Sequence, residues 1–171
     1  MTKDSATYDD EYCDLVERLR DPATCRRAFS EVIERYSEPL YWQIRRMVVN
    51  HDDANDLLQN TFMKAWQSIE NFRGDARLST WLHKIAINES LTFLDRERKR
   101  NNLSLDDEES RIIDAIEADE WTDGDELAER LRVAIASLPE KQRLVFNMRY
   151  YDEMKYEQIS EILGTSVGAL K

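Results

Sequence analysis

Twelve acidic residues and a single base, Arg111, fall between positions 101 and 129. No stretch so charged and so poor in apolar periodicity builds a core, so the chain divides into a block before it and a block after it. The net charge of the 171-residue chain is −11, and this segment accounts for all of it. Residues 1–100 carry 18 acids and 16 bases, and residues 130–171 carry 5 acids and 7 bases. A uniformly acidic chain would be repelled by DNA and by anionic membranes, but a chain whose acids are gathered in one tether need not be.

Both blocks carry helix signals and almost no β-alternation. With 42% hydrophobic residues, 35% charged residues and only 4 Gly, the composition suits an all-α protein with a small core in each block. Asp21-Pro22 predicts a helix start that runs to about Tyr36, burying Phe29, Val32 and Ile33. Ser37-Glu38-Pro39 predicts a restart, with Leu40, Ile44 and Met47 carrying the stripe to about Asn50. His51-Asp52-Asp53 offers the next cap. Ala54, Leu57, Leu58, Phe62, Ala65, Trp66 and Ile69 then recur at helical spacing. Gly74 marks a turn, and Ser79 predicts the cap of a helix over about 80–100. After the tether, with a short turn near 111–116, further helices are expected over about 126–137, 139–150 and 155–163. A last one begins near Ser166.

The domain boundaries expected are therefore 1–20 for an N-terminal extension with a first helix, 21–100 for a helical bundle, 101–125 for the acidic linker and 126–171 for a second helical unit. The apolar runs are far shorter than the ~20 residues that cross a bilayer, so no membrane insertion is expected. The polar, acidic N-terminus is not a secretory signal. Cys13 and Cys25 lack a framework spacing and read as free thiols in a reducing cytoplasm. With His51 and His83 they form no zinc pattern, and no nucleophile–base pair or Gly-rich phosphate loop is present, so neither a cofactor nor enzymatic activity is expected.

Three stretches carry functional information. Tyr156 to Val167 has the pattern of a helix-turn-helix. Ile159, Ile162 and Leu163 face inward, Ser160 is small at the close approach, Gly164 takes the left-handed turn, Thr165 or Ser166 caps, and Leu170 anchors the second helix. The same pattern also fits a plain helical hairpin. On the helix over 80–100, Trp81, Lys84, Asn88, Thr92, Asp95 and Lys99 share one face, and Arg96, Arg98, Lys99 and Arg100 end it. Residues 72–100 hold 7 bases and 4 acids, which suits single-stranded nucleic acid; a core Trp with a solvated charged face fits as well. On the third stretch, Asp53, Asp56, Gln59 and Asn60 lie beside an apolar stripe that is sufficient for a core helix. They also suit a protein-docking surface.

Taken together, these residues resemble a family. Asp53 to Trp66 resembles the core-polymerase-binding helix of bacterial sigma factors. Phe72-Arg73-Gly74 followed by Ser79 to Asn88 resembles their promoter-melting region, and Leu138 to Phe146 with the helix-turn-helix resembles their fourth conserved region. Two regions on a short tether are most similar to the extracytoplasmic-function (ECF) group, and the likeness spans roughly Ala28 to Lys171.

The resemblance implies a sigma factor that binds core RNA polymerase and directs promoter recognition, DNA melting and initiation. In it, Asp53, Asp56, Leu57, Gln59, Asn60 and Phe62 dock on the clamp helices of the largest polymerase subunit, although Asn60 stands where the family usually has an acid. Phe72, Arg73, Gly74, Asp75 and Ala76, in the loop up to Leu78, receive a base flipped from the minus-ten element. Trp81, Lys84, Asn88, Arg96, Arg98, Lys99 and Arg100 hold that strand or the adjacent duplex. Arg149 and Tyr156 contact phosphates, and Ser166, Val167, Gly168, Ala169 and Lys171 begin the recognition helix for the minus-thirty-five element, with Ala169-Leu170 in place of the usual Thr-Val. The acidic linker runs toward the RNA exit channel, the polymerase flap is a further contact, and an anti-sigma factor is a partner. The family's recognition helix continues past the position of Lys171, so a truncated form with weak minus-thirty-five binding is expected. A stand-alone helix-turn-helix regulator explains 130–171 but gives the motifs of 53–66 and 72–88 no role.

Overall fold

The computed structural model describes residues 14–48, 50–72, 77–101, 130, 131, 133–135 and 137–170. The described residues of the tether expected over 101–125 end at 101, and loop residues 73–76, Lys171 and most of the N-terminal extension also lie outside the described set. No strand occurs among the described residues. The first block holds α1 (14–20), α2 (Cys25–Arg45), α3 (His51–Ser68), a 3-10 turn (Ile69–Asn71) and α4 (Leu78–Asn101). The second holds helical residues at 130, 131 and 133–135, then α5 (Glu140–Phe146), a π-helical turn (Asn147–Tyr151), α6 (Tyr156–Leu163) and α7 (Val167–Leu170).

The bundle follows from three apolar stripes. Ala28, Phe29, Val32, Tyr36, Leu40 and Ile44 of α2 are buried, as are Ala54, Leu57, Phe62 and Ala65 of α3 and Leu78, Leu82, Ala86 and Ile87 of α4. Two buried hydroxyls are satisfied within their own helices: Thr61 donates to the Leu57 carbonyl at 2.7 Å and Ser90 to that of Ala86 at 2.9 Å. Leu15 and Leu19 seat α1 on this core, and Arg18 clasps Glu31 through both carboxylate oxygens at 2.7 Å.

Several local expectations are corrected. No break occurs at Ser37-Glu38-Pro39; α2 runs through Pro39. A proline has no N–H for the carbonyl four residues back. Tyr36 and Leu40 are nonetheless both buried on one stripe, and their packing outweighs the lost bond. Asp21 makes a turn rather than the first helical turn, accepting from Ala23 N at 2.9 Å, and α2 starts at Cys25. Ile33 is exposed, because Val32 one residue earlier takes the inward position. Asn50, not His51 to Asp53, caps α3, its side chain accepting from Asp52 N at 3.0 Å. Ser79 lies inside α4, which begins one residue earlier.

The second unit packs Leu144, Met148, Met154, Ile159 and Ile162 into a core continuous with that of the first. The sequence predicts two units on a tether, and the structure adds that α6 lies against α4.

Candidate nucleic-acid and polymerase interfaces

Among the described residues the predicted site residues gather at three places, most of them on surfaces and Leu57, Phe62 and Phe72 in the core beneath; Arg73, Gly74, Asp75, Ala76 and Lys171 lie outside the described set. On α3, the core stripe leaves the opposite side to solvent, where Asp52, Asp56, Gln59 and Asn60 are exposed and Asp53 is half-buried. Leu57 and Phe62 are inside the bundle, so they support this face from below and do not form it. Burial, then the nearby carboxylates of Glu97, Asp56 and Asp52, push the Asp53 carboxyl above its ordinary range. Met63, three residues after Asn60 and four after Gln59, lies on the same exposed side at 53% exposure. Trp66 borders it with its ring edge-on to Phe29 at 5.0 Å. Sequence reading placed Trp66 in the core and passed over Met63. The available signal was that Met63 falls outside the apolar stripe, among polar residues.

On α4, Trp81 is half-buried against Phe72, ring centroids 5.1 Å apart, and Phe72 is itself buried. Phe72 therefore anchors the base of the loop; loop residues Arg73, Gly74, Asp75 and Ala76 are outside the described set. Lys84, Asn88, Thr92, Asp95 and Lys99 are exposed along one side, as the spacing predicts. Arg96 is exposed next to it. Arg98 pairs with Asp95 at 3.5 Å and Arg100 with Glu97 at 2.8 Å, so two of the four terminal bases are partly neutralised by their own helix. Lys64 of α3 reaches Glu89 of α4 and ties the two surfaces to one frame.

The third surface is the helix-turn-helix. The Lys155 N–H donates to Gln158 Oε1 at 2.9 Å, fixing the start of α6. Gly164 ends it at φ 64°, a left-handed conformation that costs other residues about 1 kcal/mol. Ser160 Oγ then donates to the Thr165 carbonyl at 2.5 Å, drawing the second helix across the first. Ser166, Gly168 and Ala169 at its start are exposed and Val167 is half-buried, while Leu170 packs on the core. Arg149 is half-buried, its guanidinium 5.5 Å from the Tyr156 ring centre and 6.0 Å from that of Tyr150.

Among the described residues no cluster of His, Cys, Asp and Glu could hold a metal ion, and no helix is long and apolar enough to cross a membrane.

Known proteins align with both blocks. The Sigma-70 region 2 family matches residues 32–100, and the Sigma-70, region 4 family matches residues 128–171. The chain is 31% identical over 172 residues to the ECF RNA polymerase sigma-E factor of Escherichia coli (strain K12), covering 92% of this chain and 85% of that protein. It is 32% identical over 154 residues to the ECF RNA polymerase sigma factor SigW of Bacillus subtilis (strain 168), covering 84% and 81%. In fold it is similar to CnrH solved with the cytosolic domain of CnrY, at TM-score 0.63, 20% identity and 91% and 84% coverage. It is also similar to the sigma factor RpoE of Bartonella quintana solved with the anti-sigma factor NepR, at TM-score 0.61, 22% identity and 83% and 86% coverage. With two sigma regions in order and identity above 30% across more than four-fifths of each of these relatives, the chain belongs to the extracytoplasmic-function group of RNA polymerase sigma factors.

Proposed function

We propose that this sigma factor works by a division of surfaces, the α3 face holding core polymerase, the α4 face holding the opened minus-ten strand and the helix-turn-helix holding the minus-thirty-five element. The observation that carries this reading is the segregation on adjacent helices of one bundle. Acid, amide and an exposed methionine line α3, while amide, hydroxyl and lysine line α4, where the one acid, Asp95, is paired with Arg98. An anionic strand favours the second and is disfavoured by the first. The factor supplies recognition and strand opening, and the polymerase supplies the chemistry. Flipping a base out of the duplex costs a few kcal/mol, which contacts from the 72–78 loop and the α4 face offset.

In this reading Asp53, Asp56, Gln59, Asn60 and Met63 touch the clamp helices, with Leu57 and Phe62 keeping α3 rigid beneath them. Trp81 closes one end of the strand path, Lys84 and Asn88 line it, and Arg96, Arg98, Lys99 and Arg100 meet the flanking duplex. Arg149 and Tyr156 take phosphates beside the recognition residues Ser166, Val167, Gly168, Ala169 and Lys171. The acidic 101–125 segment follows the RNA exit channel, where it imitates nucleic acid, and its charge opposes DNA approach to the free factor. The factor acts in the cytoplasm, and an anti-sigma protein covers both faces when it is held inactive, as the two structural neighbours are each bound to a partner.

A binding measurement tests the polymerase face. Asp56→Arg with Met63→Glu should weaken binding to core polymerase by roughly tenfold or more, the loss of one or two interface contacts of 1–2 kcal/mol. Helicity should be unchanged, both side chains being exposed. Wild-type affinity in this variant would remove α3 from the interface.

A further inference from the structure

The contact between the two units closes over a row of polar side chains. Gln43 on α2 and His83 on α4 are buried, with Arg46 just past the end of α2. Asp152 enters from the second unit, delivered by the π-helical turn, whose Asn147 carbonyl accepts from the Asp152 N–H at 3.1 Å. The Asp152 carboxylate accepts from Gln43 Nε2 at 2.8 Å and from Arg46 Nη2. With its amide nitrogen turned to the carboxylate, Gln43 presents Oε1 to His83 Nδ1 at 2.8 Å, so Nδ1 carries the hydrogen and donates. The Arg46 guanidinium also lies over the Tyr151 ring at 5.0 Å.

Two features single out this row. The Asp152 side chain is 6% exposed, yet both of its side-chain hydrogen bonds run to the other unit. Such a pair adds little net attraction, since Asp152 is desolvated and Arg46 largely so, but it rejects any arrangement that buries the carboxylate without its cation. It therefore selects one docking of the units. Second, Arg46 Nε is buried with no acceptor, so the row is satisfied only in part and can reopen to water. Along its edge Gln158 of α6 reaches Thr80 at 3.5 Å and Lys84 Nζ donates to the Glu161 carbonyl at 3.4 Å. Thr80 and Lys84 are one turn apart; Thr80 is buried, and Lys84 is the exposed first lysine of the polar α4 face.

We propose that Asp152 is the pin of an interdomain latch: seated on Gln43 and Arg46, it locks the helix-turn-helix unit against α2 and α4 in the free chain. The locked form buries Thr80, engages Lys84 of the α4 face through the Glu161 carbonyl, and keeps the two units too close to engage separate DNA elements. The latch stands on geometry alone; its consequence for DNA rests on the division of surfaces proposed above.

The test uses the full chain with Cys13→Ser and Cys25→Ser, spin-labelled at Glu38→Cys and Glu157→Cys, both exposed positions. Pulsed dipolar spectroscopy should give one narrow distance. In Asp152→Ala and in Arg46→Ala, which leaves the carboxylate buried without its cation, the distribution should broaden to longer distances. The closed population should fall relative to the open by on the order of tenfold or more, with far-UV helicity retained. A broad distribution in the parent chain, or an unchanged narrow peak in both variants, would overturn the latch. The parent distribution decides even where a variant loses helicity. Because the readout is a distance, it fails independently of the promoter reading.

Discussion

Leu82→Ala is expected to lower the unfolding free energy by about 3–4 kcal/mol and the melting temperature by roughly 10 °C. Leu82 is fully buried on α4, the helix that packs against α2, α3 and α6, so the space left by its side chain opens inside the core. Flanking helices that are themselves pinned on several sides cannot collapse into that space, which places the cost in the upper part of the usual range. Met63→Ala is the control. It removes a comparable apolar volume from a residue that is 53% exposed, and should change stability by no more than about 0.5 kcal/mol. Calorimetry of the two variants checks the pair; equal losses would mean that the core is misassigned.

Acidification from about pH 7.5 to about pH 5 is expected to remove about 2 kcal/mol of stability through His83 alone. Burial, reinforced by the positive charge of Arg46, holds its imidazole down at about 4 against an ordinary value of 6.5. Between those values the unfolded chain takes up a proton that the folded chain refuses. Stability is therefore full above about 6.5 and falls as pH drops toward 4. Asp152 works in the other direction. Burial pushes its carboxyl up, against the pull of Arg46 and Gln43, so the folded state takes a proton more readily than the unfolded one and protonation of this group is stabilising. Denaturant unfolding of wild type and His83→Asn at both pH values isolates it. The variant should lose markedly less stability on acidification, and parallel losses would contradict a neutral, buried His83.

The all-α class, the two units and most helix limits were legible because apolar residues recur at helical spacing with few exceptions. The turn at Gly164 was equally legible, since the chain there needs a left-handed residue and offers a glycine. Pro39 misled, because local propensity argues for a break and only the tertiary burial of Tyr36 and Leu40 on either side of it overrides that. The surfaces were legible in part. Lys84, Asn88 and Lys99 are where their spacing places them. Leu57 and Phe62 belong to a motif that docks, and spacing alone does not say which members of a motif face inward. The Gln43–Asp152 contact joins residues 109 apart, and no local pattern encodes it. A hint was present in Gln43 itself, an amide on the buried side of α2 between Leu40 and Ile44, where a polar group needs a partner.

Run-off transcription with core polymerase tests the central claim most directly, using wild type beside a triple variant of exposed α4 residues, Lys84→Ala, Asn88→Ala and Lys99→Ala. Wild type should convert core polymerase from unspecific starts to defined transcripts on a promoter library. The triple variant should bind core as tightly as wild type but yield fewer defined transcripts, by on the order of a hundredfold, since each lost base or phosphate contact removes about 1–3 kcal/mol. Promoter-defined transcription by the triple variant at the wild-type level would contradict the account, as would a wild-type chain that binds core and selects no start.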